Sequence, residues 1–384
     1  MEKVVIVLIF VLSALVAFIT IRIATAPTEI SFQQTYVLPQ FTNLNEIISN
    51  KVPTKQAVAI DGEIIYSNNA EVQPTASTAK TILALMVMEA KPFNLGEQGE
   101  TITITPDLYA FYSYQLANNG SNTAVQVGEE ISEYDALAAA LLPSSNNMAD
   151  SLATWAFGSL PEYKSFAEAK LKEWGINNTT IGSDASGLSP NTTSTTNDLA
   201  LIAQRLMQNP VLSEIVGLKE HEIPVTGTIK NTNQLLGVDG VIGVKTGYTD
   251  YANYCLLSAY KMDGHIVTIA SLGAETREES FKQSHQTILE LQENFAETEI
   301  TQSGNEVGYY ESWWMGKVPI KLTEGGNVIA WSEAEQSTEL NMNGESGMLS
   351  IKIGEKSYQY AVQAEGYQAK PTFWQRFKYA IFLK

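Results

Sequence analysis

A lysine stands inside what otherwise reads as a wholly apolar helix. The stretch "PTASTAK", residues 74–80, runs straight into "TILALMVMEA", where no glycine, proline or β-branched run stops a helix. A helix that is hydrophobic all round belongs in a core, and lysine is almost never buried there without a partner that needs it. The fold must therefore bury Lys80 three residues from the Ser77 hydroxyl, on the first turn of that helix, where such positions are neighbours.

The chain has 384 residues, 44% of them hydrophobic, enough for more than one domain and a sizeable core. Lys+Arg 24 against Asp+Glu 42 leaves a net charge of −18, which argues against a nucleic-acid partner. One cysteine, Cys255, allows no intramolecular disulfide and no cysteine-rich metal site, and its apolar setting "NYCLLSA" reads as a core strand. His221, His265 and His285 are far apart and form no H-E-x-x-H pattern, so neither a metal nor a cofactor is expected.

From residue 4 to residue 23 only Ser13, Thr20 and Arg22 interrupt an apolar run. As a helix this run spans roughly 30 Å, the thickness of a bilayer core. Residues 1–26 are expected to be a membrane anchor. A cleaved signal is the rival, since Ala24-Thr25-Ala26 has the small residues of a cleavage site, although Pro27 directly after it should hinder processing. Either way the rest of the chain is expected outside the cytoplasm, at the cell membrane.

A linker is expected over residues 27–53. "QAVAIDGEIIYSN" then alternates on both sides of Asp61-Gly62, a hairpin signal. Helices are predicted at Ser77, on either side of Pro143 in "SEYDALAAALLPSSNNMADSLATWAF", in "TTNDLALIAQRLMQN" and in "ESFKQSHQTILELQENF". "TITIT", "VIGVKTG", "NYCLLSAY" and "HIVTIASLG" read as strands, the last two joined at Asp263-Gly264. Strands at both ends with helices between them point to an α+β domain, an antiparallel sheet flanked by helices, over residues 54–300. "KVPIKL", "NVIAW", "MLSIKIG" and "YQYAVQ" predict a small C-terminal β domain over residues 301–368.

Residues 369–384 differ again. Phe373, Trp374, Phe377, Ala380 and Ile381 share a helical face, while Lys370, Arg376, Lys378 and Lys384 are basic in an acidic protein. That pattern fits a helix lying in a membrane interface, or one packed on the β domain. Trp313-Trp314 suits the same interface or a domain junction.

Ser-x-x-Lys fixes only two residues, and a second match occurs at Ser258-Ala-Tyr-Lys261. That match lies in a strand, where residues three apart face opposite ways. Only the helical pair can cooperate. Ser144-Ser145-Asn146 follows at a break before a helix, and Lys245-Thr246-Gly247, which occurs once, ends a strand. These three elements, in this order, resemble the penicilloyl serine transferases, the penicillin-binding proteins and serine β-lactamases. "DGVIGVKTGYTDYANYCLLSAY", with "NTNQLLG", "DASGLSP", "TTNDLALIA" and "TREES", is similar to the low-molecular-mass D-alanyl-D-alanine carboxypeptidases over residues 54–295.

The resemblance implies a β-lactamase/transpeptidase-like catalytic domain that cleaves peptidoglycan stem peptides ending in D-Ala-D-Ala and is acylated by β-lactams. A serine needs an adjacent base, and lysine serves only if desolvation and a nearby cation keep it neutral. The buried helix would supply the first condition for Lys80 and Lys245 the second. Ser77 becomes the nucleophile, with its own backbone N–H and, by resemblance, that of Tyr248 after Gly247 binding the oxyanion. Ser144 would relay a proton to the leaving amine, with Ser145 as the other register, and Asn146 would hold the substrate amide. Lys245, Thr246 and Arg277 would meet the terminal carboxylate, although Arg277 also suits a plain helix surface. The aromatic run Tyr109 to Gln115 borders the cleft or packs the core.

No Glu-x-x-Leu-Asn stretch lies between Asn146 and Lys245, which sets class A β-lactamases apart. A DD-endopeptidase or transpeptidase on the same acyl-enzyme remains open, as does an inactive, membrane-anchored peptidoglycan-binding protein.

Overall fold

The computed structural model describes residues 2–382 apart from 225, 263, 296, 297 and 333. The chain divides into two compact units, one of Thr42–Ala296 with Trp331–Glu333, the other of Met1–Phe41, Glu297–Ala330 and Ala334–Lys384.

The first unit is built on a five-stranded sheet in the order Val241–Thr249, Asn253–Met262, His265–Ala274, Lys55–Ile60, Glu63–Ser67. Every neighbouring pair is antiparallel. The Asp61-Gly62 turn forms as expected: both residues have positive φ, the requirement of a two-residue hairpin that follows the strand twist. In the turn at 263–264, Asp263 lies outside the described residues.

Helices cover both faces. Ser258 meets Ser284 of the helix Arg277–Asn294 (Oγ···Oγ 2.9 Å). Thr268, the cross-strand partner of the adjacent Ala259, donates to Ala200 O of the helix Thr196–Gln208 at 2.9 Å. Successive residues point to opposite faces, so these two helices sandwich the sheet. The helix Ala79–Ala90 is buried from Ala79 to Met88, which explains why it is apolar on every side. Glu133–Leu141, capped by Ser132 Oγ on Asp135 N at 3.1 Å, and Asn146–Phe157 flank the break at Pro143.

In the second unit six antiparallel strands run in the order Ser31–Gln34, Glu306–Ser312, Gly316–Leu322, Lys356–Gln363, Ser346–Ile353, Gln336–Asn343. The sheet corrects the expectation of a linker over 27–53. Ser31–Gln34 is its edge strand, and Leu44–Ser49 is a helix of the first unit that buries Leu44 and Ile48.

The helix Glu2–Ala24, roughly 35 Å long, is long and apolar enough to cross a membrane. The helix Phe373–Phe382 packs beside its end: Arg22 Nη1 donates to Ala380 O at 3.4 Å and lies over the Tyr379 ring. Trp313 stacks on Tyr379 and donates from Nε1 to Pro27 O at 2.9 Å, while Trp314 is buried and donates to Gln368 O. Phe373, Trp374 and Phe382 stay exposed. Lys384 lies outside the described residues.

Candidate active site

Ser77 sits in a tight turn, Ala76–Thr78, that leads into the helix Ala79–Ala90. Ala76 has φ +48°, a left-handed conformation that costs an L-residue energy and recurs at functional sites. The loop after Asp184 packs against it. Gly187 passes so close that a side chain on it would start 2.0 Å from Ala76 O.

Lys80 is fully buried, and its Nζ has three partners: Ser77 Oγ at 2.8 Å, Asn146 Oδ1 at 2.8 Å and Ser186 O at 2.9 Å. An ammonium donates to all three. A neutral amine has two N–H groups and one lone pair, and two of these partners are carbonyl oxygens that only accept. In the neutral form the lone pair is therefore left facing the Ser77 hydroxyl. Burial lowers the Lys80 pKa to about 7, against the pull of the Asp150 and Asp184 carboxylates. The lysine is thus poised to take a proton near neutral pH.

Ser144 and Asn146 come from the break before the helix Asn146–Phe157. Ser144, with φ +66°, lines a cavity of about 480 Å³ that also opens onto Ser77. Ser145 turns the other way, fully buried, and donates to Asn147 Oδ1 at 2.7 Å. Asn146 also reaches the cavity, but its amide is engaged: Oδ1 accepts from Lys80 and Nδ2 donates to Gln115 Oε1 at 3.2 Å. The amide expected to hold substrate thus holds the lysine.

The strand Val241–Thr249 forms another wall. Thr246, Gly247 and Tyr248 line the cavity, and Thr246 Oγ1 bonds Thr232 Oγ1 at 2.6 Å. Gly247 allows the strand to touch the serine turn, since a side chain there would begin 2.9 Å from Ser77 N. This close approach brings the backbone at 247–248 beside the N–H of Ser77. The Tyr248 ring is half exposed, stacks on Tyr254 at 4.4 Å, and its hydroxyl donates to Asp250.

Lys245 departs from expectation. Its side chain is buried and donates to Thr246 O at 2.9 Å, off the cavity wall. Burial first, and repulsion from Lys80 second, hold its pKa well below the usual lysine value. For Lys80, as for Lys245, burial is the leading cause. Arg277 lines the cavity beyond Thr246, with Nη2 donating to Thr232 O at 3.3 Å and the guanidinium over Phe281.

Several groups at the site were not singled out from sequence. Gln115 holds Asn146 and Thr232 braces Thr246 and Arg277. Ser186 supplies a carbonyl to Lys80. Asp184 accepts from Ser186 Oγ and from the backbone of Gly187, Leu188 and Ser189. Their signals were present only as whole segments: the run Tyr109 to Gln115 for Gln115, "DASGLSP" for Asp184 and Ser186, and "NTNQLLG" for Thr232.

A serine paired with a buried lysine at the head of a central helix, facing a Lys-Thr-Gly strand across a cleft, defines the serine–lysine class of acyl-transfer enzymes. Within that class, residues 44–276 match the peptidase S11 family, described as D-alanyl-D-alanine carboxypeptidase, and the chain belongs to this family. It is similar to the D-alanyl-D-alanine carboxypeptidase DacF of Bacillus subtilis, 27% identical over 59% of this chain and 58% of that protein. The chain thus spans little more than half of that relative's length. It is also similar to a D-alanyl-D-alanine endopeptidase of Escherichia coli, 28% identical over 58% of this chain and 72% of the relative. The fold matches a crystal structure of a peptidoglycan synthesis regulatory factor (PBP3) from Streptococcus pneumoniae. That match has a TM-score of 0.63 and 23% identity, and covers 83% of this chain and 100% of the other.

Proposed function

We propose that this protein is a serine-type D-Ala-D-Ala carboxypeptidase that removes the terminal D-alanine from peptidoglycan pentapeptide stems through an acyl-enzyme on Ser77. The observation that carries it is the 2.8 Å contact of a fully buried Lys80 amine with Ser77 Oγ, at the mouth of the cavity. Neutral Lys80 takes the hydroxyl proton as Oγ attacks the D-Ala carbonyl. The N–H groups of Ser77 and Tyr248 receive the developing oxyanion. Ser144 passes a proton to the departing D-alanine amine. Thr246 and Arg277 meet its carboxylate; Lys245 acts from behind them, an entering carboxylate favouring its charged form. Asn146 orients Lys80. Water then releases the shortened stem, whereas a β-lactam leaves Ser77 acylated.

The same proposal assigns residues 54–300 to catalysis, 301–368 to a small β domain and 369–384 to a membrane-associating helix. The apolar helix Glu2–Ala24 anchors the enzyme with its catalytic part outside the cytoplasm. A DD-endopeptidase is the second reading, favoured by the Escherichia coli relative of that name. The test is incubation of the full chain with a pentapeptide ending in D-Ala-D-Ala and, separately, with a cross-linked dimer. Free D-alanine from the first supports the carboxypeptidase, and cleavage of the dimer alone supports the endopeptidase. Mass spectrometry after benzylpenicillin treatment is expected to place the adduct on Ser77, and an adduct elsewhere overturns both.

A further inference from the structure

Asp150 lies one turn after Asn146 on the helix Asn146–Phe157, so both side chains project from one face. Asn146 touches Lys80 directly. Asp150 is 5% exposed, and its Oδ1 accepts from Ala185 N at 2.9 Å. The next residue, Ser186, gives its carbonyl to Lys80 Nζ. An asparagine would satisfy the Ala185 N–H equally well, and a buried carboxylate is costly unless a cation balances it. Lys80 becomes that cation each time it takes a proton.

We infer that Asp150 is a positioning residue for Lys80: its carboxylate holds the 185–186 backbone that binds the lysine, and its charge balances the ammonium formed when the Ser77 proton moves to Nζ. The inference deepens the proposed reaction and rests on it. No direct ion pair joins the two among the described residues, so the charge acts through space. The other groups facing this carboxylate are Asp184 in the adjoining loop and Tyr163 of the buried helix Leu160–Glu173. Lys245 faces Lys80 from the strand Val241–Thr249. Burial raises Asp150 to about 7, with Asp184 adding to the rise and Lys80 opposing it. The titrations of carboxyl and amine are therefore coupled, each favouring the charged form of the other.

The test is the rate of Ser77 acylation by benzylpenicillin from pH 5 to 9 in the full chain and in Asp150→Asn. The amide keeps an acceptor for Ala185 N–H and removes the charge. Without that charge the ammonium is less favoured, so the midpoint is expected to move about one unit to lower pH. The limiting rate should fall about tenfold as Lys80 becomes a weaker base. The penicillin concentration giving half the limiting rate should change by less than about twofold, because the residue does not touch the cavity. Asp150→Glu, which restores the charge, should return the midpoint toward that of the parent. A rate lowered equally at every pH, or an unmoved midpoint in Asp150→Asn, overturns the inference while the parent enzyme's acylation leaves the proposed function standing. A parent that is not acylated at all removes both.

Discussion

Ser77 and Lys80 sit three residues apart across a helical turn, with Nζ 2.8 Å from Oγ. Ser258 and Lys261 have the same spacing, but the strand Asn253–Met262 sends them to opposite faces. Ser258 is buried against Ser284, and Lys261 is exposed. The same letters thus make a hydrogen-bonded pair in one place and two unrelated residues in the other. The difference lies in backbone period and burial: the helix brings the groups together, and desolvation lowers the lysine pKa.

The sharpest way to break this contrast is at the first pair. Ser77→Ala should abolish the covalent penicillin adduct, read by mass spectrometry. Lys80→Arg should slow acylation by roughly 10²–10⁴-fold, because a guanidinium keeps its proton. Near-normal rates in Lys80→Arg would end the general-base role.

Gly247→Ala tests the close approach of strand and serine turn. The added carbon would start 2.9 Å from Ser77 N, so one of the two must shift. A displacement of this kind should cost about 10²-fold in acylation rate. Unaltered kinetics would show that the approach does not matter.

A pH series on the parent enzyme comes next in size. In the proposed reaction Lys80 acts only when neutral, and burial lowers its pKa to about 7. Acylation should therefore rise with pH, reach half its limit near 7 and level off above; one unit below the midpoint it should run about tenfold slower. A flat profile between pH 6 and 8 would contradict the burial argument.

The smallest effects belong to the second pair. Ser258→Ala removes a buried hydrogen bond and should lower unfolding free energy by about 1 kcal/mol, with the acylation rate unchanged. Lys261→Ala should stay within about 0.5 kcal/mol in stability and leave acylation alone. Loss of acylation in either would erase the distinction.

Much of this contrast was legible beforehand because it depends on local rules. Alternation gave the Asp61-Gly62 hairpin, and the uninterrupted apolar run gave the helix that buries Lys80. Other elements were legible but went unread. The helices Pro106–Ala117 and Leu160–Glu173 start at Thr105 and Ser159, hydroxyl caps each followed within two residues by proline. What sequence could not give was direction in space. Nothing local says that Lys245 points inward, that Asn146 spends its amide on Lys80 and Gln115, or that Asp150 reaches the loop at 185. The strand Ser31–Gln34 is another such case: four polar-leaning residues acquire their role from Glu311 and its neighbours, about 280 positions away.

That edge strand has a consequence for assembly. The β unit takes pieces from both ends of the chain, with Thr42–Ala296 lying between them. Strand Ser31–Gln34 therefore waits for partners made near the end of synthesis, and its pairing closes a very long loop. The intervening unit needs no such wait, because its five strands all lie between Lys55 and Thr249 or in the two hairpin-linked strands that follow. As the polypeptide emerges N-terminus first, the catalytic part can reach its fold while the β unit is still missing most of its sheet. Once residues up to about 300 are clear of the ribosome, Ser77, Lys80, Ser144 and Lys245 all lie in chain that can fold together, with the first strand of the other unit still single.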